Sequence, residues 1–404
     1  MASQAAVIIG AGFAGVSAAF ALRETGHLGP ITIVGDEGHL PYERPPLSKG
    51  LLNGSQSGLV PIRPAPDYAA AGIELLTGAA ALGIDRKRWR VELSTGPALP
   101  YDQLLLATGA APRRLDLPGS DAVAIHTLRD ARDLERLQPA FVSARRLAIV
   151  GGGLIGLELA AAARQRGIET TVIEAGPRIL GRGVPHALAA VLADKHRSNG
   201  VTILTDATPV SVSPAGVTLS DGRTIEADTI IVAIGVSPRT SLAETSGLAV
   251  AGGIVTDSIL QVIDGIFAAG DCAVTAHPLF GNAAVRLESW QSAGDHGAVA
   301  GRNMAGRAEP IGIVPWMWSD QYDLGLYMAG LPAIAATMVD RVEDGLITQF
   351  QLDPSGRLVG AASLGVGTSA SRGIKIASRL IAGRAVIDTS YLADPSRPLK
   401  ALLS

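Results

Sequence analysis

Cysteine is nearly absent from this chain of 404 residues: Cys272 stands alone. One thiol excludes an intramolecular disulfide framework and any dithiol/disulfide redox pair, because thiol exchange needs a resolving partner. It is read as a small buried residue. The 7 histidines show no ligand spacing and the cysteine has no partner, so no metal site is predicted. An excess of either charge is also lacking. A net of −3 offers no global attraction to nucleic acid, and any basic docking face must be local. Aromatics reach only 4%, which makes each tryptophan informative. Long apolar runs are missing too. The uncharged stretch Leu324 to Val339, between Asp323 and Asp340, is too short for a membrane span and carries Gly325, Gly330 and Pro332. It predicts strands of a small sheet in a soluble protein. The first strand starts within a few residues of Met1, leaving no room for a signal peptide, and with one thiol the expected location is the cytoplasm.

Glycine, by contrast, is plentiful at 48 residues on a 47% hydrophobic background, the balance of an α/β protein rich in tight turns. Its placement is specific. Gly10-Ala11-Gly12-Phe13-Ala14-Gly15 follows the apolar run Ala5–Ile9, and Gly151-Gly152-Gly153-Leu154-Ile155-Gly156 follows Leu147–Val150. A strand, a glycine turn and a helix N-terminus together cradle a pyrophosphate. The first glycine makes the turn, the second lets backbone approach phosphate, and the third lets helix pack on strand. Exposed N–H groups and the positive helix end face the anion. One such motif is weak evidence; two in context predict two dinucleotides, most simply a flavin and a nicotinamide.

Each motif opens a similar unit. In the first, a helix (Val16 to Arg23) leads to a strand, Ile31–Val34, ending at Gly35-Asp36-Glu37; a second strand, Leu104–Ala107, runs into Thr108-Gly109. In the second, a helix from Gly156 to Arg166 leads to Thr170–Ile173 and Glu174, and Thr229–Ile234 ends at Gly235. Between strands of the first unit lies the Pro-rich segment Leu40–Lys49, too irregular for a core element. From about Trp318 the texture changes to alternating strands and a helix near Ser371 to Leu380, an α+β pattern. The predicted fold is α/β, with two Rossmann-like domains and a C-terminal α+β domain. The boundaries are 1–112 with 243–318, 113–242, and 319–404.

Carboxylates at the strand ends are candidate ribose ligands: Asp36, more weakly Glu37, and Glu174, which lies roughly 20 residues past Gly151. Glu174 would accept a hydrogen bond from a ribose hydroxyl and repel a 2′-phosphate, predicting NADH over NADPH, with Arg178 as the nearby cation that could reverse this. An ordinary strand-end acid is the competing reading. Glu158 lies on a mostly apolar helix, where a carboxylate is rarely buried unpaired. From Ser371 to Lys400 the cations Arg372, Lys375, Arg379, Arg384, Arg397 and Lys400 outnumber Asp388 and Asp394. The first three share one helical face. A solvated face and a docking face for an acidic partner both fit.

These pieces in this order resemble the two-dinucleotide-binding-domain flavoproteins. The stretches Arg44-Pro45-Pro46-Leu47-Ser48-Lys49, Glu288-Ser289-Trp290 and Trp316-Met317-Trp318-Ser319-Asp320-Gln321-Tyr322 narrow the likeness. They are similar to NADH-dependent ferredoxin reductases of oxygenase systems, the putidaredoxin-reductase and biphenyl-dioxygenase-reductase kind. The resemblance covers essentially the whole chain. It implies an enzyme that takes a hydride from NADH onto FAD and passes single electrons to a [2Fe–2S] ferredoxin. By the same resemblance Lys49 and Glu158 pair beside the flavin, and Trp318 lies between flavin and ferredoxin. Gly10, Gly12, Ala14, Gly15, Asp36, Glu37, Arg44, Lys49, Ala81, Thr108, Gly109, Arg129, Gly270, Asp271, Glu288 and Trp290 touch FAD. Gly151, Gly153, Ile155, Gly156, Glu174 and Gly235 touch NADH. The partner face includes Arg372, Lys375, Arg379, Arg397 and Lys400, and the enzyme is a monomer or weak homodimer. Three alternatives stay open: an NADH oxidase or peroxidase, disfavoured by the missing cysteine; a rubredoxin-reducing flavoprotein; and a regulatory flavoprotein resembling apoptosis-inducing factor.

Overall fold

The computed structural model describes residues 4–403. They fall into two units. The first ends its opening segment at Glu43 and adds Val60–Ala111 and Pro238–Trp316; the second takes Arg44–Leu59, Pro112–Ser237 and the chain from Met317 onward.

In the first unit a six-stranded sheet runs in the order Gln261–Ile263, Ile266–Ala268, Gln103–Leu106, Ala6–Ile9, Ile31–Gly35, Ile73–Thr77. All pairs but the first are parallel. Apolar side chains on both faces explain this. Val7, Ile9, Leu104 and Leu106 fill one core cluster, and Ile8, Ile31, Ile33 and Leu105 fill another across the sheet. The helix after the glycine turn is Phe13–Glu24, one turn earlier than the sequence suggested, because Gly12 is already its N-cap. It packs on the helix Trp290–Met304 through close backbone approach: a Cβ on Gly297 would sit 2.1 Å from the Ala14 carbonyl oxygen, and one on Gly301 2.2 Å from that of Ala18.

The second unit repeats the plan with a five-stranded parallel sheet in the order Val201–Leu204, Glu169–Ile173, Arg146–Val150, Thr229–Val232, Ile125–His126. Its helix is Leu154–Gln165. The Pro-rich segment contains a short 3₁₀ turn, Pro45–Ser48, with Leu47 and Ser48 buried. Also in this unit is a five-stranded sheet of Trp316–Gln321, Leu324–Gly330, Leu358–Val366, Leu346–Leu352 and Thr337–Glu343, covered by the helix Ser371–Ala382. The uncharged stretch from Leu324 thus forms strands with a 3₁₀ turn, Pro332–Ile334, between them. Among the described residues no helix is long and apolar enough to cross a membrane.

Candidate functional site

Both glycine motifs are built for an anion. In the first unit Gly10 has φ of 117°, and a Cβ there would lie 2.1 Å from the Ala107 carbonyl oxygen; a Cβ on Gly15 would lie 2.0 Å from that of Gly10. These two glycines answer to the protein's own backbone. Gly12 does not, for no heavy atom lies within 4 Å of its would-be Cβ. The helix it caps has no side-chain hydrogen bond at its N-terminal cap and no acid in its first turn, so neither offsets its amide dipoles. The second motif matches it: Gly151 has φ of 110°, a Cβ on Gly156 would meet the Gly151 oxygen at 2.1 Å, and the nearest atom to one on Gly153 is 4.0 Å away. A glycine that protein atoms do not demand, at an uncapped helix end, fits a dinucleotide pyrophosphate in each unit.

Of the predicted flavin ligands, all but Arg44, Lys49 and Arg129 lie in the first unit. Buried Ala14 lies beneath Gly270, whose Cβ would be 3.1 Å from that of Ala14. Asp271 is buried, and its carbonyl receives Arg286, which also pairs with Glu288. Trp290 stacks on Phe13 at 4.0 Å. Asp36 is exposed and pairs with Arg239 at 3.5 Å, while Thr108 donates to the Arg239 carbonyl and Gly109 accepts its N–H. Glu37 accepts from the Tyr42 hydroxyl. Ala81 opens a small antiparallel sheet. Arg239 and Arg286 escaped the sequence reading because neither lies in a motif. Cys272 is fully buried, with its Sγ 3.4 Å from the Leu106 and Ala269 carbonyls.

The second unit is not a copy at the ribose position. Backbone pairing aligns Glu174 with Gly35, since Gly10 N–H bonds the residue before Gly35 and Gly151 N–H the residue before Glu174. Glu174 accepts from Gly152 N–H and Gly176 N–H, each at 2.8 Å, so it also braces the glycine turn. Arg178 donates to the carbonyls of Ile179, Leu180, Gly181 and Val184. Its guanidinium is committed to backbone, leaving the acid unopposed. Ile155 is exposed on the first helical turn beside the cradle, and Gly235, with φ of 97°, accepts from Arg113 N–H.

The same unit brings Lys49, Glu158 and Trp318 together. Glu158 is buried; it accepts from the Ser48 and Ser319 hydroxyls, both at 2.6 Å, and lies 4.0 Å from Lys49 Nζ. Lys49 is closer to Asp320, at 2.9 Å, and sits 5.5 Å from the Trp318 ring centroid. Burial pushes the Glu158 carboxyl up, Lys49 and the two hydroxyls pull it back, and Asp320 adds to the rise. Ser48, Ser319 and Asp320 were legible only as members of their motifs, with no role assigned to them. Arg44 donates to the Arg129 carbonyl at 2.6 Å. Arg372, Lys375, Arg379, Arg397 and Lys400 are all exposed; Arg397 also pairs with Asp394 at 3.3 Å and lies over the Tyr391 ring.

A family model described as pyridine nucleotide-disulphide oxidoreductase matches residues 4–297, and one described as reductase C-terminal matches residues 316–403. The chain is 40% identical to the anthranilate 1,2-dioxygenase system ferredoxin–NAD(+) reductase component of Burkholderia cepacia, over 100% of both chains. It is 38% identical to the p-cumate 2,3-dioxygenase system ferredoxin–NAD(+) reductase component of Pseudomonas putida, over 98% of this chain and 97% of that one. Among solved structures, it is similar to the covalent putidaredoxin reductase–putidaredoxin complex, with TM-score 0.93, 33% identity, and coverage of 100% of this chain and 99% of that one.

Proposed function

The chain belongs to the pyridine nucleotide-disulphide oxidoreductase family, and from that premise we propose that it is the FAD-dependent NADH:ferredoxin reductase of an oxygenase system. The observation that carries this reading is the doubled cradle, with a second glycine in each unit that no protein atom requires. When bound, FAD supplies the change from two-electron to one-electron chemistry between NADH and ferredoxin.

The chain's own part is binding, orientation and charge. FAD is assigned to residues 1–112 with 243–318, NADH to 113–242, and partner docking to 319–404. Gly10, Gly12 and Gly15 hold one pyrophosphate and Gly151, Gly153 and Gly156 the other. Asp36 takes the flavin ribose, with Arg239 beside it. Glu174 takes the nicotinamide-side adenosine ribose. Lys49 is assigned the positive charge that serves the flavin; Asp320 holds its ammonium at 2.9 Å, with Glu158 4.0 Å away. No acid or base is needed for hydride passage, so orientation and electrostatics suffice. Exposed Arg372, Lys375 and Arg379 form the face for an acidic [2Fe–2S] ferredoxin, and the cytoplasm is the proposed location.

Steady-state turnover with and without a [2Fe–2S] ferredoxin tests the reading. NADH oxidation should be slow alone and rise with added ferredoxin, which should be reduced in a 2:1 ratio to NADH. Equal turnover without ferredoxin, with oxygen consumed, would replace this function by that of an oxidase.

A further inference from the structure

Glu158 ends a chain of polar side chains drawn from separate elements of the second unit. Ser319 and Gln321 lie two apart on the strand Trp316–Gln321, both buried. The Ser319 hydroxyl donates to Glu158 Oε1 at 2.6 Å, and Gln321 Nε2 donates to the Ser319 oxygen at 3.1 Å. Gln321 Oε1 lies 2.9 Å from Nε2 of His196, a wholly buried residue of the helix His186–Ser198. His196 Nδ1 lies 3.3 Å from the Tyr322 hydroxyl. None of these links joins sequence neighbours except through the strand itself.

Polarity gives the chain its meaning. An ionised carboxylate only accepts, so the one proton of Ser319 is directed at Glu158. The Ser319 oxygen then takes the Gln321 N–H. The Gln321 oxygen faces His196 Nε2, which must carry the ring proton, and Nδ1 is left to accept from Tyr322. Every donor points toward Glu158. A proton on Oε1 would reverse this: the O–H would need the Ser319 oxygen, the Ser319 proton would need the Gln321 oxygen, the amide would turn over, and His196 would change tautomer; a proton on Oε2 would face the Ser48 oxygen instead and leave the chain as it is. The charged groups around the chain are few. Lys49 and Asp320 face Glu158, Arg164 acts on Tyr322, and the Lys195–Asp323 pair flanks the histidine end. Burial lowers the His196 pKa, with the Gln321 bond opposing it.

We propose that His196, Gln321 and Ser319 are positioning residues: through this one-way chain they keep the Ser319 hydroxyl aimed at Glu158 Oε1 and so favour the ionised carboxylate partnered with Lys49. Its relevance to catalysis rests on the proposed placing of Glu158 beside the flavin; the chain of donors does not.

Infrared titration of the oxidised holoenzyme tests it, using the carboxylic-acid C=O band that Glu158→Gln removes. Gln321→Met, which keeps length but no donor, should raise the midpoint of that band by about one pH unit, a tenfold gain in proton affinity. His196→Asn, lacking a donor at the Nε2 position, should do the same, while His196→Gln, which keeps one there, should titrate as wild type. Tyr322→Phe, at the half-buried end, gives a milder shift in the same direction and covers the case in which a core variant does not fold. Ring ¹⁵N shifts of His196 should report the Nε2–H tautomer near neutral pH. Unmoved midpoints, equal shifts for His196→Asn and His196→Gln, or an Nδ1–H tautomer would each overturn the proposal. The placing of Glu158 fails separately, if Glu158→Gln leaves the stopped-flow rate of flavin reduction by NADH unchanged.

Discussion

At the scale of the residue, the arrangement around Glu174 shows how far a single side chain was legible and where legibility stopped. Its place after a strand suggested a ribose acid, but Arg178 four residues on left the nucleotide choice open in the sequence. In the structure Arg178 donates to four backbone carbonyls, which supports the NADH reading. A second role was invisible: Glu174 accepts two glycine amides and so braces the turn it serves. Lone sequence positions carry no information on which backbone groups fold onto them. NADH should therefore be preferred to NADPH by roughly 30- to 200-fold in kcat/KM, about 2–3 kcal/mol of lost contact and like-charge repulsion. Glu174→Ala should narrow the ratio by relieving NADPH and weakening NADH, the latter more than a lost ribose contact alone would, because the turn loosens. Stopped-flow binding of both nucleotides checks it; a ratio near one in the wild type would show that the carboxylate does not meet the ribose.

At the scale of the element, strands and glycine turns were readable because apolar runs of strand length end in glycines, a local signal. The seam between the helices Phe13–Glu24 and Trp290–Met304 was not, since it joins segments far apart in sequence through the absence of side chains. Gly297→Val should drive a branched side chain toward the Ala14 carbonyl, 2.1 Å from the Cβ position. Overpacking of this kind costs about 1–3 kcal/mol or more, and here it displaces the helix that starts at the flavin cradle. The variant should lose bound FAD on gel filtration, whereas Gly312→Ala, with no atom within 4 Å of its Cβ, should stay yellow. Equal retention would mean that the seam can slide. The helix Ser371–Ala382 makes an opposite case. Its amphipathic spacing was plain, and Ile374, Ala377, Leu380 and Ile381 are indeed buried, leaving Arg372, Lys375 and Arg379 outward. Arg397, counted with them, is exposed as well and pairs with Asp394. Arg372→Glu and Lys375→Glu should slow ferredoxin reduction, most at low ionic strength where steering is unscreened, and leave flavin reduction by NADH unaltered. Wild-type rates across ionic strengths would move the docking face elsewhere.

At the scale of the whole molecule, charge nearly cancels, so stability against pH is decided by a few buried groups rather than by net repulsion. His296, on the helix that packs against the flavin-cradle helix, has its pKa lowered to about 4, first by burial and then by His277. No hydrogen-bond partner meets its Nδ1 among the described residues. His277 is lowered too, by burial. A base with a depressed folded pKa binds fewer protons folded than unfolded, so stability rises with pH through its titration range. The His296 contribution is complete above the ordinary value of 6.5, falls as acid protonates the unfolded chain, and is gone below about 4. A shift of that size is worth about 3 kcal/mol. Buried Glu158, whose carboxyl is pushed up, works in the other direction, because its folded form takes up the proton more readily. The histidine slope should therefore emerge by comparison of variants: His296→Gln removes the titrating group and should flatten the loss of urea stability between pH 7 and pH 4.5, with most of the difference appearing below pH 6. Parallel pH profiles for the variant and the wild-type protein would show that His296 accepts its proton while folded.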